Sequence, residues 1–264
     1  LEDGIDHLIE TTAAMPQPHL SYYHFYPPHQ PYRTRAEFRN RFRRDGIEFP
    51  EKPASVITEG NTHKETLEAR SQYDETLLYV DAEFHRLYTT LKAAGRLENT
   101  WLIVTSDHGE LFERGNIGHE TPMAYDPEVR VPLLIFPPGH TARTDVRTPT
   151  SAVDLLPTIM EIAGLPVPEW TDGRILPPFN PQRIPEDRSV FVLHPKGSRA
   201  RRPISEGSAA IVKQNMKLIY TFGLEELEGR DPYIELYDLA ADPEELDDLY
   251  TPDHPQGQAL LAEL

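Results

Sequence analysis

Cysteine is absent from all 264 residues. Disulfides, zinc–thiolate sites and cysteine nucleophiles are therefore excluded within this chain. No apolar run approaches the roughly 20 residues that span a bilayer, so no transmembrane helix is expected. Positive charge is also scarce: 26 Lys and Arg stand against 43 Asp and Glu, a formal net charge of −17. Nucleic-acid partners require a cationic footprint, and this balance argues against one. Dinucleotide, P-loop and Gly-x-Ser-x-Gly signatures are all missing. The opening residues Leu1-Glu-Asp-Gly4 lack the basic and apolar regions of a signal peptide. They also lack an initiator Met, as expected of a chain cut from something longer, so localisation stays open.

What is present is the composition of a globular protein, 38% hydrophobic and 26% charged. The length accommodates one large or two unequal domains. Arg33, Arg35, Arg39, Arg41, Arg43 and Arg44 form a basic cluster in this acidic chain. A solvated helix face accounts for it better than an anion-collecting rim.

Periodicity organises the rest. Residues 20–26 read as a strand stopped by the prolines of 27–32, and 45–61 as a surface excursion. Tyr73, Leu77, Val80, Phe84, Leu87 and Leu91 share one face of a helix over 62–94, with Gly95 as its C-cap. Buried strands follow at 101–105 and 131–136, then a helix over 152–163 with Pro157 in its first turn and Gly164 closing it. A Pro-rich bridge, 165–187, leads to strand-like segments at 189–193, 209–212, 217–222 and 234–239, with a hairpin connection at 213–216 and a helix after Pro255. This order predicts an α/β fold: a mainly parallel sheet sandwiched by helices over 1–180, then a small antiparallel sheet with a helix over 181–264.

The run Trp101-Leu-Ile-Val-Thr-Ser-Asp-His-Gly-Glu110 carries the chemistry. A buried strand ends abruptly in a carboxylate and an imidazole, where open α/β sheets place their ligands. One oxygen and one nitrogen donor suit a divalent metal, and the same residues also fit a strand that simply ends in a polar turn. His24 with His29, the Asp107-His108 pair, and His119 all fall at or after predicted strand ends, so they are expected to meet in one crevice. Imidazoles there could hold substrate oxygens or protonate a leaving group. Two ligands do not complete a calcium or magnesium shell. No second carboxylate cluster stands at a strand end, because Asp74 and Asp81 lie within the long helix. Asp154 opens the later helix, where the helix dipole accounts for it.

In order along the chain, these pieces resemble the sulfatase family of the alkaline-phosphatase-like superfamily. They are Pro28-His29-Gln-Pro31; Tyr73-Asp74 through Asp81 to Gly95; Asn99 to Glu110; Gly118-His119; and Arg130-Val-Pro132. Val153-Asp154 to Thr158, Asp172-Gly173, Glu235-Leu-Tyr237-Asp238, Asp242-Pro243-x-Glu245 and Asp248-Leu249 continue the pattern. The resemblance implies a sulfuric-ester hydrolase with Asp107 and His108 as metal ligands, for Ca2+ or, in some relatives, Mg2+ or Mn2+. His29 would contact the sulfate, and His119 would occupy the position of a substrate-binding Lys or His; both are the candidate catalytic residues. The family nucleophile is a formylglycine made from a Cys/Ser-x-Pro-x-Arg motif, with two further Asp ligands upstream. Neither that motif nor any Cys occurs here, so the resemblance implies a C-terminal portion that is inactive alone. Its substrate would be a small-molecule or glycan sulfate ester. A phosphodiester or phosphonate monoester hydrolase, a phosphoethanolamine transferase, and a non-catalytic remnant binding a sulfated ligand or a partner are the alternative readings.

Overall fold

The computed structural model describes residues 1–42, 49–139, 141–180, 187–197 and 202–264. Arg43 and Arg44, part of the predicted surface excursion, and part of the Pro-rich bridge lie outside them. The chain forms two compact units: Leu1–His119 with Val131–Thr141, and Glu120–Arg130 with Ala142–Leu264. Among the described residues, no helix is long and apolar enough to cross a membrane.

The first unit is built on α1 (Glu2–Ala14) and α2 (His63–Ala93). The helix α1 is not among the elements that the sequence pattern predicts. Thr62 caps α2 reciprocally with Glu65, and Gly95, at φ +68°, ends it in the left-handed region. Ile5 and Leu8 of α1 pack on Leu87 and Leu91 of α2, with Tyr23, Phe25, Phe84 and Leu97 around them. Only the later half of the expected apolar stripe is core, since Leu77 is 40% exposed. Charge reinforces the same helix pair. Arg86 holds the buried Glu83 at 2.7 Å and Asp6 at 2.5 Å, while Arg35 reaches Glu2, Glu37 and Glu83. The expected helix around the arginine cluster is only one 3-10 turn, Ala36–Phe38. Arg35 is engaged by carboxylates instead of lying on a solvated helix face.

β1 (Leu102–Thr105) pairs with β2 (Leu133–Phe136) antiparallel, with Leu102 opposite Phe136. A parallel pair was expected. Parallel pairing needs a crossover that returns the chain to the opposite end of the sheet. Here the connection closes at the end it leaves, and the Thr105 hydroxyl donates to the Pro132 carbonyl at 2.8 Å. Residues 20–26 are extended, with Tyr23 and Phe25 turned to the helices, but they join no ladder among the described residues.

In the second unit β3 (Ser189–Pro195), β4 (Gly207–Lys213), β5 (Met216–Phe222) and β6 (Tyr233–Asp238) form an antiparallel sheet in sequence order. Lys213 faces Met216 across the expected hairpin. Strand alternation turns Ile211, Leu218 and Leu236 towards Leu260 of the terminal helix (Pro255–Glu263). The other face mixes buried Ala210 and Ile219 with polar groups. Fully buried Lys217 lies 2.9 Å from Asp126 and 2.7 Å from Glu245. Tyr125 and Tyr237 both donate to Glu235 Oε1 at 2.7 Å, and the Ser208 hydroxyl donates to the Pro122 carbonyl at 2.5 Å. Burial pushes the Glu245 carboxyl up, against the opposing pull of Lys217.

Asp154 does more than meet a helix dipole. It is fully buried before the helix Leu155–Ile162 and takes both guanidinium arms of Arg188, at 2.6 and 2.7 Å. It also accepts the amides of Ser151 and Arg174, at 2.9 and 2.8 Å. Gly173 is required beside it, because a Cβ there would come within 2.0 Å of the Val153 carbonyl oxygen. Burial pushes the Asp154 carboxyl up, but Arg188 and the two amides outweigh it and hold the group below its ordinary value.

Two predictions follow from these buried charges. Asp154→Ala leaves the Arg188 guanidinium buried without its carboxylate and should cost about 3–5 kcal/mol in denaturant unfolding at pH 7. The Asp154 contribution is present above about pH 4 and is lost as pH falls through the lowered folded value, so the variant and wild type should converge in acid. His194 is raised by Glu128, 2.5 Å from its Nδ1, against the opposing effect of burial. Its contribution is full below about pH 6.5 and disappears as pH rises through the raised folded value. Wild type should therefore lose stability relative to His194→Gln as pH rises above 6.5; an unfolding-midpoint difference that stays flat with pH would refute this.

Candidate functional site

The site is assembled in the first unit by the turn after β1 and the loop that follows. Asp107 Oδ1 accepts the His108 backbone N–H at 3.1 Å, which folds the carboxylate over its own turn. Its Oδ2 then stands 3.8 Å from His108 Nε2 and 3.8 Å from His24 Nε2. Beyond the turn, Leu111 and Gly118 exchange two backbone hydrogen bonds of 2.9 Å. Gly118 has φ +105°, a region that L side chains rarely adopt. The enclosed loop is held by buried Asn116, whose Oδ1 accepts the Glu59 amide at 3.0 Å and whose amide donates to the Ile57 carbonyl at 3.2 Å.

The Leu111–Gly118 bridge places its flanking residues, Glu110 and His119, opposite each other. Glu110, its side chain 4% exposed, meets His119 Nδ1 at 2.9 Å. The His119 ring lies 4.0 Å from that of His108 and 5.0 Å from that of His29, centroid to centroid. Tyr26 packs behind His29 at 4.5 Å. His29 Nδ1 sits 2.6 Å from the Gln30 carbonyl oxygen, and His108 Nδ1 sits 2.8 Å from that of Gly109. Carbonyl and carboxylate oxygens only accept, so all three Nδ1 atoms carry the proton. Each neutral ring is left with its lone pair on Nε2.

Tyr32 and Tyr73 line the same region. Burial, and then the Glu110 carboxylate, raise both phenols, Tyr73 to about 12. They stay protonated at neutral pH and supply no base. An open groove of about 620 Å³ runs on from His29, bordered by Gln30 and Tyr32 on one side and by Glu65, Glu68 and Gln72 of α2 on the other.

His24, His29, Asp107, His108 and His119 thus lie together, although the parallel sheet from which their meeting was expected is not what joins them: β1 and β2 run antiparallel and residues 20–26 join no ladder among the described residues. The sequence pattern gives Glu110 no role, because its contact with His119 depends on a pairing between two loop residues that no local pattern announces. As metal donors, Asp107 and His108 fit by type: an anionic oxygen, and a nitrogen whose lone pair is freed by the Nδ1–H bond to Gly109. They form a partial set. Among the described residues, no group of three or more His, Cys, Asp or Glu could hold a metal ion.

This geometry predicts that nitrogen NMR of the neutral rings finds His29, His108 and His119 all protonated at Nδ1. Glu110→Ala should mix the tautomers of His119 while leaving His29 unchanged. A predominantly Nε2-protonated His119 in the unsubstituted chain would contradict the assignment.

Comparison with known proteins converges on one family. The sulfatase family profile matches residues 2–165, and that of the N-sulphoglucosamine sulphohydrolase C-terminal region matches 118–264. Arylsulfatase K of Bos taurus is 31% identical over 188 residues, covering 70% of this chain and 34% of the relative. Choline-sulfatase of Rhizobium meliloti is 27% identical over 258 residues, covering 90% of this chain and 47% of the relative. The phosphonate monoester hydrolase of Agrobacterium radiobacter, 23% identical, aligns at a TM-score of 0.77 over 98% of this chain and 57% of its own, a likeness of fold alone. The structure of BT4656 in complex with its substrate D-glucosamine-2-N,6-O-disulfate aligns at a TM-score of 0.58 with 26% identity, over 76% of this chain and 40% of that one. The chain spans about a third to a half of the length of these two curated relatives. With two family profiles that each match more than half of its residues, the chain belongs to the sulfatase family and has a partial form of its α/β fold.

Proposed function

We propose that this chain supplies the imidazole side of a sulfuric-ester hydrolase site acting on a sulfated sugar. The observation that carries the reading is the convergence of His29, His108 and His119 beside Asp107, with Glu110 buried behind His119. His29 and His119, when protonated, present Nε2–H to the oxygens of a sulfate group. His119 is assigned as proton donor to the departing alcohol oxygen, because the Glu110 carboxylate at Nδ1 fixes the orientation of its ring. Glu110 is thus a positioning residue and does not itself touch substrate. Asp107 and His108 would hold a divalent cation, calcium by family habit, and such a cation neutralises charge on the ester oxygens. Covalent attack on sulfur is the chemistry that a formylglycine supplies in this family. The 264 residues contain neither Cys nor Ser-x-Pro-x-Arg, so in this reading that group is borne by polypeptide outside them. The sugar part of the proposal draws support from the disulfated glucosamine held by BT4656.

The test compares this chain with a polypeptide that also carries the nucleophile motif. The 264-residue chain alone should release no sulfate from 4-nitrophenyl sulfate or glucose 6-sulfate, and the longer polypeptide should turn both over. His119→Ala in the longer form should lower kcat by about 10²-fold or more. Turnover by the chain alone, or a preference of the longer form for phosphonate monoesters over sulfate esters, would overturn the proposal.

A further inference from the structure

The groove beside His29 has no part in the proton chemistry, and its α2 side carries two carboxylates. Glu65 and Glu68 stand three positions apart on α2, Glu65 with one oxygen taken by the Thr62 amide and hydroxyl, and Gln72 and Gln30 complete the polar lining. Glu65 is held ionised, since the Thr62 hydroxyl and backbone amide keep its carboxyl below the ordinary value. Lys64 stands 3.8 Å from Glu68, both side chains well exposed, and its charge also acts on Glu65. Such a surface pair is weak and leaves the groove negative. The Tyr32 wall is rigid, its ring set edge-on against Tyr73 and Phe112, each at 5.6 Å. The volume of about 620 Å³ falls in the range of small-molecule sites.

We infer that this groove is the subsite for the part of the substrate that carries the sulfate, and that it selects a hydroxyl-rich sugar with no second anionic group. The inference rests on the sulfate-ester reading above and narrows it. Carboxylates accept hydrogen bonds from sugar hydroxyls, and side-chain amides both donate and accept, so together they suit a polyol. The same carboxylates repel a second sulfate or a uronate, which is discrimination through a built-in repulsive element. The selected class therefore differs from the disulfated sugar bound by BT4656.

The experiment is an NMR titration of the 264-residue chain with inorganic sulfate, D-glucose 6-sulfate and D-glucosamine-2-N,6-O-disulfate. Glucose 6-sulfate should shift the ring signals of His29 and His119 together with the side-chain amides of Gln30 and Gln72. The disulfate should bind roughly tenfold more weakly. Glu68→Lys, at an exposed helix position, should narrow or reverse that gap. Equal or tighter binding of the disulfate by the unsubstituted chain overturns the inference, as does a Gln72 amide silent to every sugar. If inorganic sulfate moves the histidines and the sugar adds nothing, the groove assignment fails while the sulfate site stands. If none of the three moves the histidines, the site reading fails with it.

Discussion

Two backbone hydrogen bonds between Leu111 and Gly118 decide where the polar groups of the site stand. In an antiparallel bridge the flanking residues face each other, so Glu110 and His119 are opposed by the backbone before any side-chain preference acts. The carboxylate then fixes the imidazole. With Nδ1 held, the His119 ring has one orientation, and in it the ring meets His108 and His29. The bridge in turn depends on the left-handed turn that Arg114 and Gly115 make, at φ 56° and 80°. It depends also on buried Asn116, which ties that turn to the Ile57–Glu59 segment. A flexible loop could carry the same residues and leave the histidines free to rotate. Here the order runs from backbone pairing to carboxylate to ring, and each step removes a rotation that substrate binding would otherwise have to freeze.

The second unit uses buried charge for a different end. Lys217, Asp126 and Glu245 sit inside a small antiparallel sheet region where apolar side chains of similar size would fit by volume. Buried ion pairs add little net stability over such replacements, but removing one partner is costly. They tie Asp126 of the 122–128 segment to Lys217 of β5, and a shift of that segment would leave a charge unpaired. Asp154 follows the same logic, gathering Arg188 and two amides around one carboxylate. Gly173 then lets the Gly173–Arg174 segment approach closely enough to deliver the Arg174 amide.

How legible this was in the sequence depended on the range of the interaction. The long helix, the hairpin at 213–216 and the terminal helix follow from local periodicity and turn chemistry, and the structure has them where the pattern put them. The helix over 2–14 had a readable signal in the spacing of Leu1, Ile5 and Leu8, masked by its polar and threonine-rich remainder. Strand direction was not legible. Four apolar residues at 102–105 look the same in either orientation, and the Thr105–Pro132 contact that closes the antiparallel pair joins residues far apart in sequence. Asp107, His108, His29 and His119 stood out because a polar residue at a strand end is conspicuous. Glu110 and Asp154 did not, because a buried carboxylate and a solvated one are the same letter until its partners are known.

An anion site in a chain of net charge −17 raises the question of where its positive charge comes from. Arg35 and Arg86 do not supply it, since they are taken up by Glu2, Glu83 and Asp6. The cluster itself adds two carboxylates, Asp107 and Glu110. Glu110 is turned away from solvent and answered by His119, so its charge is compensated when that ring is protonated. Asp107 differs, because its side chain is 58% exposed: Oδ1 accepts the His108 backbone N–H at 3.1 Å, but the imidazole nitrogens nearest Oδ2, His24 Nε2 and His108 Nε2, both stand 3.8 Å away, too far for a hydrogen bond. The Asp107 charge is thus the one the site leaves least compensated, and an anionic ester beside it would be repelled. In the proposed reading, a cation that Asp107 and His108 would hold offsets this charge, so the metal and the anionic ester depend on each other at this site.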